Sequence, residues 1–119
     1  MKKILFVEDE EDIVELYRVI LTEPGFEFEY FTCAQKACEY LHQNQVDLVV
    51  CDETLNDRHG LEVLQAIRNS HVNKHTIFYL ASGNPNLNKN LYQEFDCRRF
   101  FQKPFDIDDI MVMIKKDLN

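Results

Sequence analysis

Five polar side chains in this sequence follow directly after short apolar runs. They are Glu8, Asp9, Asp52, Ser82 and Lys103. A carboxylate can bind a hard metal ion or act as a nucleophile, a hydroxyl can donate a hydrogen bond, and an ammonium group can neutralise negative charge. If these side chains meet, the set is typical of a site that binds a metal ion and a phosphate.

Electrostatics indicates which chemistry such a cluster favours. Two carboxylates about 4 Å apart repel each other by roughly 4 kcal/mol at an effective dielectric constant of about 20. Three acids therefore need cations, of which Lys103 supplies one. Oxygen ligands without His or Cys favour Mg²⁺ or Mn²⁺. Mg²⁺ takes one or two carboxylates and a phosphate, which leaves one acid free to act as a nucleophile.

The elements that must position these residues alternate along the chain. Short apolar or alternating runs predict five strands: Lys3–Val7, Phe26–Phe31, Val46–Asp52, Thr76–Ala81 and Arg98–Gln102. Helical spacing or capping signals predict five helices between and after them: Glu11–Thr22, one opened by a capping box at Thr32–Gln35, Gly60–Ser70, a short one near Leu87–Phe95, and one capped by Asp106. In the first helix the predicted inward stripe is Ile13, Leu16, Tyr17, Ile20 and Leu21.

This alternation predicts an α/β fold. It favours a doubly wound, five-stranded parallel sheet with five helices on both faces. Ligand sites in such sheets lie at the carboxyl ends of the strands. The five polar side chains should therefore converge on one edge of the sheet.

Size and charge exclude several classes of protein. The 119 residues fit one domain, spanning 1–119, and no stretch reaches the roughly 20 apolar residues that cross a bilayer. A net charge of −8 argues against direct nucleic-acid binding. The four cysteines show neither a Cys-x-x-Cys pair nor zinc-finger spacing, so we interpret them as small apolar residues in a reducing, cytoplasmic setting.

Three motifs carry a resemblance that covers nearly the whole chain. They are KILFVEDE, DLVVCDETLNDRHGLEVL and FFQKPF, in that order. Together they resemble the signatures of response-regulator receiver domains, the phosphoacceptor modules of two-component signalling, including the chemotaxis-regulator type. The resemblance implies the flavodoxin-like strand order 2-1-3-4-5.

The resemblance also implies a role for each site residue. Asp52 matches the phosphorylated aspartate, Asp9 the main metal-binding carboxylate, Glu8 its acidic neighbour, and Thr54 the residue whose backbone carbonyl completes the metal site. Lys103 matches the lysine that pairs with a phosphoryl oxygen, and its bond to Pro104 is expected to be cis. Ser82 matches the switch hydroxyl and Phe100 the aromatic switch. Thr54 and Asn84 match positions that tune the lifetime of the phosphoryl group.

The implied function is a signalling one. A sensor histidine kinase or a phosphotransfer protein would supply the phosphoryl group to Asp52 in a Mg²⁺-dependent reaction. The domain would catalyse only its own phosphorylation and dephosphorylation. The face made by the fourth helix, fifth strand and fifth helix would then switch and contact an effector or output domain. A homodimer is left open, as is the choice between a stand-alone regulator and the first domain of a longer one.

The loop after Asp52 departs from the family's usual pattern. Glu53 stands where an apolar residue is usual, Asn56 where proline is common, and His59 where an acid or small residue is common, while Asp57 adds a further acid. We expect these residues to tune phosphoryl lifetime and partner choice.

Several alternatives remain open at this point. A one-residue shift of the fourth strand would put Ala81 at the switch position in place of Ser82. Phe100 could be plain core, as we expect of Phe101, and only one of the two can point outward. A constitutive, non-phosphorylated interaction module would keep the same fold. A phosphatase with an aspartate nucleophile is less favoured, because Thr54 stands where a second catalytic acid is typical.

Overall fold

The chain forms five strands and five helices in strict alternation in a computed structural model. The model describes residues 1–20 and 22–119, with the backbone alone at Val19 and Ile20. The strands are β1 (Lys2–Val7), β2 (Phe26–Phe31), β3 (Leu48–Asp52), β4 (Ile77–Ser82) and β5 (Cys97–Gln102). The helices are α1 (Glu11–Ile20), α2 (Ala34–Gln43), α3 (Gly60–Arg68), α4 (Lys89–Gln93) and α5 (Ile107–Asp117).

All neighbouring strands are parallel, in the order β2-β1-β3-β4-β5. The predicted fold class and strand order are confirmed. Every strand therefore ends at the same edge of the sheet, and the order reverses between β1 and β3, where doubly wound sheets place their ligand sites.

The sheet separates two apolar cores, because successive residues of a strand face opposite sides. Leu5 and Val7 pack into the core beneath α2, α3 and α4. Ile4 and Phe6 pack into the core beneath α1 and α5. All five residues of β3 are buried, which fits a central strand covered on both faces.

The inward stripe predicted for the first helix is partly wrong. Tyr17 is buried and Ile13 is half-buried against the core beneath α1 and α5, but Leu16 is 53% exposed. Leu16 lies one position before Tyr17 and so points about 100° away from it around the helix. Leu21 and the side chain of Ile20 lie outside the described residues.

The capping box predicted at Thr32–Gln35 is also wrong. α2 begins one residue later than that pattern requires, with Cys33 as its N-cap, and the Cys33 side chain makes no capping bond. The carboxylate of Asp57, in the loop after β3, accepts hydrogen bonds from the backbone N–H groups of Ala34 and Gln35, each at 3.0 Å. A residue distant in sequence thus supplies the cap.

Two polar clusters lie away from the carboxyl ends of the strands, one at the end of α3 and one at the end of α5. The Arg68 guanidinium donates to the backbone carbonyls of Phe95, Asp96, Lys74 and Thr76. At the end of α5, Asp117 accepts hydrogen bonds from Tyr79 and from Arg99, with 2.7 Å between its Oδ2 and Arg99 Nε. All four cysteines are free, and among the described residues no helix is long and apolar enough to cross a membrane.

Candidate functional site

The five sequence-predicted polar residues meet at one edge of the sheet. Glu8 and Asp9 follow β1, Asp52 and Ser82 are the last residues of β3 and β4, and Lys103 follows β5. A cleft of about 860 Å³ at this edge is lined by residues from four of these strand ends, including Asp9, Asp52 and Lys103. The convergence expected from parallel strand ends is therefore present.

Lys103 is the centre of the charged cluster. Its Nζ lies 2.8 Å from Glu8 Oε1, 3.0 Å from Asp52 Oδ1 and 3.4 Å from Glu10 Oε1. The side chain of Glu8 is 1% exposed and that of Asp52 8% exposed. One ammonium group thus faces three carboxylates, two of them largely removed from water, so negative charge is in excess.

The pKa values reflect this excess. Burial raises the pKa of Glu8 to about 7, although its hydrogen bond to Lys103 acts in the opposite direction. Burial also raises the pKa of Asp52, again opposed by Lys103. Burial lowers the pKa of Lys103, but its bonds to Glu8 and Asp52 outweigh that, and the net shift is upward. The pocket favours an additional cation or a proton on one of the acids.

The acids that come together differ from the predicted set. Carboxylate oxygens of Glu8, Glu10 and Asp52 lie within 4.8 Å of one another. Glu10 was missed by sequence reasoning: it lies in the acidic run from Glu8 to Asp12, but residue type does not show which acid of that run faces Lys103. Asp9 is half-buried and lines the same cleft, and its backbone N–H donates to Glu8 at 3.1 Å. Asp9 was expected to be the main metal-binding carboxylate and Glu8 its acidic neighbour, but Glu8 is the more deeply buried of the two.

The donor set fits a hard divalent ion. All three grouped ligands are carboxylates, and neither His nor Cys joins the group. Such oxygen ligands suit Mg²⁺ or Mn²⁺ rather than a soft metal. Thr54 also lines the cleft. The predicted role of its carbonyl as a ligand stays a prediction.

The Ser82 hydroxyl is buried and already hydrogen-bonded. It donates to the carboxylate of Glu53 and accepts from the backbone N–H of Asn84 at 2.9 Å. Ala81, the alternative considered for the switch position, pairs with Asp52 across the sheet. Ser82 is thus the hydroxyl-bearing residue at the carboxyl end of β4, one residue beyond the pairing partner of Asp52.

The loop after Asp52 is held by backbone contacts. Gly60 N–H donates to the Glu53 carbonyl at 2.7 Å, and Glu53 N–H donates to the Ala81 carbonyl at 2.8 Å. A Cβ on Gly60 would lie only 2.5 Å from the carbonyl oxygen of Asp52. Glycine is therefore required where α3 begins, because the chain passes directly against the end of β3. His59 is exposed, and its backbone N–H donates to the Glu62 carboxylate at 3.3 Å.

Phe100 and Phe101 lie on opposite faces of the sheet, as their adjacency predicts. Phe100 meets Tyr92 of α4 edge-on at 6.2 Å, and Phe101 packs against Tyr79 at 5.4 Å on the other face. Both rings are half-buried. The peptide bond between Lys103 and Pro104 is cis, as expected.

The fold and the acidic cleft define a doubly wound α/β domain with its site at the switch in strand order. Residues 4–115 match the sequence model of the response regulator receiver domain. The chain belongs to this family, the receiver domains of two-component response regulators.

Relatives and solved structures agree with this assignment. Regulatory protein VanRc of Enterococcus gallinarum is 28% identical over 117 residues, which is 98% of this chain and 50% of that protein. Probable transcriptional regulator ycf29 of Cyanophora paradoxa is 27% identical over 120 residues, which is 100% of this chain and 57% of that protein. The chain therefore spans about half the length of the curated relatives it matches.

Two solved structures illustrate the likeness in fold. Response regulator TrrA of Thermotoga maritima, in complex with Mg²⁺ and BeF, has a TM-score of 0.83 and 28% identity, with 98% of each chain covered. A CheY-like receiver domain protein of Methanospirillum hungatei has a TM-score of 0.88 at 24% identity, covering 99% of this chain and 94% of that one. The second likeness concerns the fold alone.

Proposed function

We propose that this receiver domain accepts a phosphoryl group on Asp52. The observation that carries the proposal is the pairing of the Asp52 carboxylate with Lys103 at 3.0 Å, at the end of a fully buried strand and beside a cleft. A carboxylate oxygen attacks phosphorus, and the bond from phosphorus to the donor's nitrogen breaks as the new bond forms. The donor would be a phosphohistidine on a sensor kinase or a phosphotransfer protein.

The neighbouring side chains act mainly by position and charge. The Lys103 ammonium neutralises part of the charge that the phosphoryl oxygens bring, and the Ser82 hydroxyl donates to one of them. Glu8, Glu10 and Asp52, with Asp9 and the Thr54 carbonyl, are the residues that would hold Mg²⁺ or Mn²⁺. When bound, the ion supplies further positive charge to the phosphoryl oxygens. The Mg²⁺ and BeF present in the TrrA structure support this choice of ion.

The proposed output is a shift of the face formed by α4, β5 and α5. Withdrawal of the Ser82 hydroxyl toward Asp52 leaves room for Phe100, which now rests against Tyr92. α4 is five residues long and follows a loop in which residues 83–88 are mostly exposed, so little burial holds α4 in one position. An effector or an output domain would bind the shifted face. Thr54 and Asn84 would set how long the phosphoryl group lasts.

The decisive test is phosphoryl uptake from acetyl phosphate, a small acyl phosphate, with and without Mg²⁺. Intact-protein mass spectrometry should show one added phosphoryl group on the wild-type protein when Mg²⁺ is present. Asp52→Asn should show none, and Asp109→Asn, at an exposed acid of α5, should behave as wild type. Uptake that survives Asp52→Asn would contradict the mechanism. A folded wild-type protein without uptake would favour the constitutive interaction module.

A further inference from the structure

The hydroxyl that the proposed function needs is held by another residue. Ser82 donates its proton to the carboxylate of Glu53 and accepts the N–H of Asn84 at 2.9 Å. A serine hydroxyl carries a single proton, so it cannot also donate to a phosphoryl oxygen. Glu53 occupies a position where the family usually has an apolar residue, which could not accept this bond.

The backbone on both sides of this contact is fixed. Glu53 N–H donates to the Ala81 carbonyl at 2.8 Å, and the Glu53 carbonyl accepts from Gly60 at 2.7 Å. Lys103 N–H donates to the Ser82 carbonyl at 2.8 Å. The hydrogen bond between Ser82 and Glu53 can therefore break by side-chain rotation alone, without movement of the strands.

Charge decides when the bond breaks. A phosphoryl group on Asp52 brings about two negative charges into the cleft that Glu53 also lines. Lys103 is paired with Glu8, Glu10 and Asp52, and in the described part of the chain no ion pair includes Glu53. The phosphoryl group therefore repels the Glu53 carboxylate. The freed Ser82 hydroxyl can then donate a hydrogen bond to a phosphoryl oxygen.

Glu53 also lies near the face that would respond. Burial raises the pKa of Tyr92, and the Glu53 charge is the next contribution in the same direction. Tyr92 is buried and contacts Phe100 edge-on. A displaced Glu53 carboxylate therefore changes the surroundings of both the switch hydroxyl and the aromatic pair.

We propose that Glu53 is a positioning residue that holds the Ser82 hydroxyl in the unphosphorylated protein and gives it up only to a strongly charged group on Asp52. The inference rests on the proposed function and deepens it. The hydrogen bond between Ser82 and Glu53 thus disfavours the switched state until the phosphoryl group is in place. Loss of its carboxylate should therefore favour binding of a phosphoryl mimic.

The test measures the dissociation constant of beryllofluoride with Mg²⁺, followed through the NMR signal of the Asn84 amide. We expect Glu53→Leu to bind about tenfold more tightly than wild type. Glu53→Gln, which keeps a neutral acceptor for Ser82, should show a smaller gain. In a Ser82→Ala background, Glu53→Leu and Glu53→Gln should bind equally well, because there is no hydroxyl to release. Glu94 is an exposed acid at the C-cap of α4. Glu94→Leu and Glu94→Gln are matched controls that should leave binding unchanged.

The outcomes separate the two claims. If Glu53→Leu binds beryllofluoride no more tightly than wild type, the role of Glu53 is overturned while the proposed function stands. The same holds if Glu53→Leu binds more tightly than Glu53→Gln by the same factor in the wild-type and in the Ser82→Ala background. If wild type and Asp52→Asn bind beryllofluoride equally, or neither binds it, the proposed function falls and this inference falls with it. Circular dichroism of each variant confirms that the fold is retained.

Discussion

At the scale of single residues, the site is arranged around one cation. Lys103 contacts three carboxylates, two from the segment between β1 and α1 and one from the end of β3. Its side chain is 14% exposed, so water screens these contacts only in part. The same ammonium group that would neutralise a phosphoryl group holds the acids together in its absence.

Replacing Lys103 by glutamine should therefore destabilise the fold as well as the site. Breaking a buried ion pair by removing one partner costs about 3 kcal/mol or more, because the other charge is left without compensation. We expect the free energy of unfolding, measured by urea denaturation, to fall by about 3 kcal/mol. Millimolar Mg²⁺ should restore part of this loss by replacing the missing charge.

The matched control is Lys116→Gln, at an exposed lysine of α5. Its effect should stay within about 0.5 kcal/mol, as for most surface substitutions. Equal losses in the two variants, or a Lys103→Gln loss that Mg²⁺ does not reduce, would contradict the assigned role of Lys103.

At the scale of elements, the start of α3 sets the position of the acceptor. Helix propensity alone favours alanine over glycine by up to about 1 kcal/mol. Gly60→Ala should nevertheless lower the free energy of unfolding by about 2 kcal/mol, since a Cβ there would overlap the Asp52 carbonyl oxygen at 2.5 Å. Phosphoryl uptake should fall too, because the end of β3 must shift.

Gly83→Ala is the control for this prediction. A Cβ on Gly83 would meet no atom closer than Lys103 Cβ at 3.8 Å, an ordinary contact. Its unfolding midpoint in urea should match that of the wild type. A Gly60→Ala protein as stable as Gly83→Ala would show that the end of β3 can yield to the helix.

The elements themselves were largely predictable, and their terminal contacts were not. The alternation of strands and helices and the burial of every β3 residue follow from the pattern of apolar side chains, which is local to each element. The cap of α2 did not follow, because Asp57 reaches the helix from 22 and 23 residues further along the chain. Glu10 was missed for a similar reason. Its place beside Lys103 depends on how α1 leaves the sheet, and the acidic residue types alone do not reveal that.

At the scale of the whole molecule, the chain combines a net charge of −8 with a few strongly paired acids. Asp117 is one of these acids, and it ties α5 to β4 and β5 through Tyr79 and Arg99. Its bonds to Arg99 lower the pKa of Asp117 to about 2. In the unfolded chain the same group would have its ordinary pKa of 3.8.

This depressed pKa gives a definite pH dependence of stability. The unfolded state binds the proton more tightly, so the contribution of Asp117 is complete above about pH 4 and is lost as the pH falls toward about 2. We expect Asp117→Asn to lower the free energy of unfolding at pH 7 by about 1 kcal/mol, reduced from the full linkage value because its arginine partners contact solvent. Thermal unfolding between pH 7 and pH 2 measures this difference.

The difference between Asp117→Asn and wild type should shrink steadily as the solution is acidified. Glu94→Gln, at an exposed acid, should follow the wild-type curve throughout. A constant gap between Asp117→Asn and wild type across the range would contradict the assignment.

The cap on α2 has one further consequence. The Ala34 and Gln35 amide protons are bound by a carboxylate that belongs to the acceptor loop. Their exchange with deuterated solvent therefore reports on that loop rather than on the helix in which they lie. The exchange rates of these two amide protons at the start of α2 should therefore change with events at Asp52. Measuring them needs no label or substitution near the reacting carboxylate.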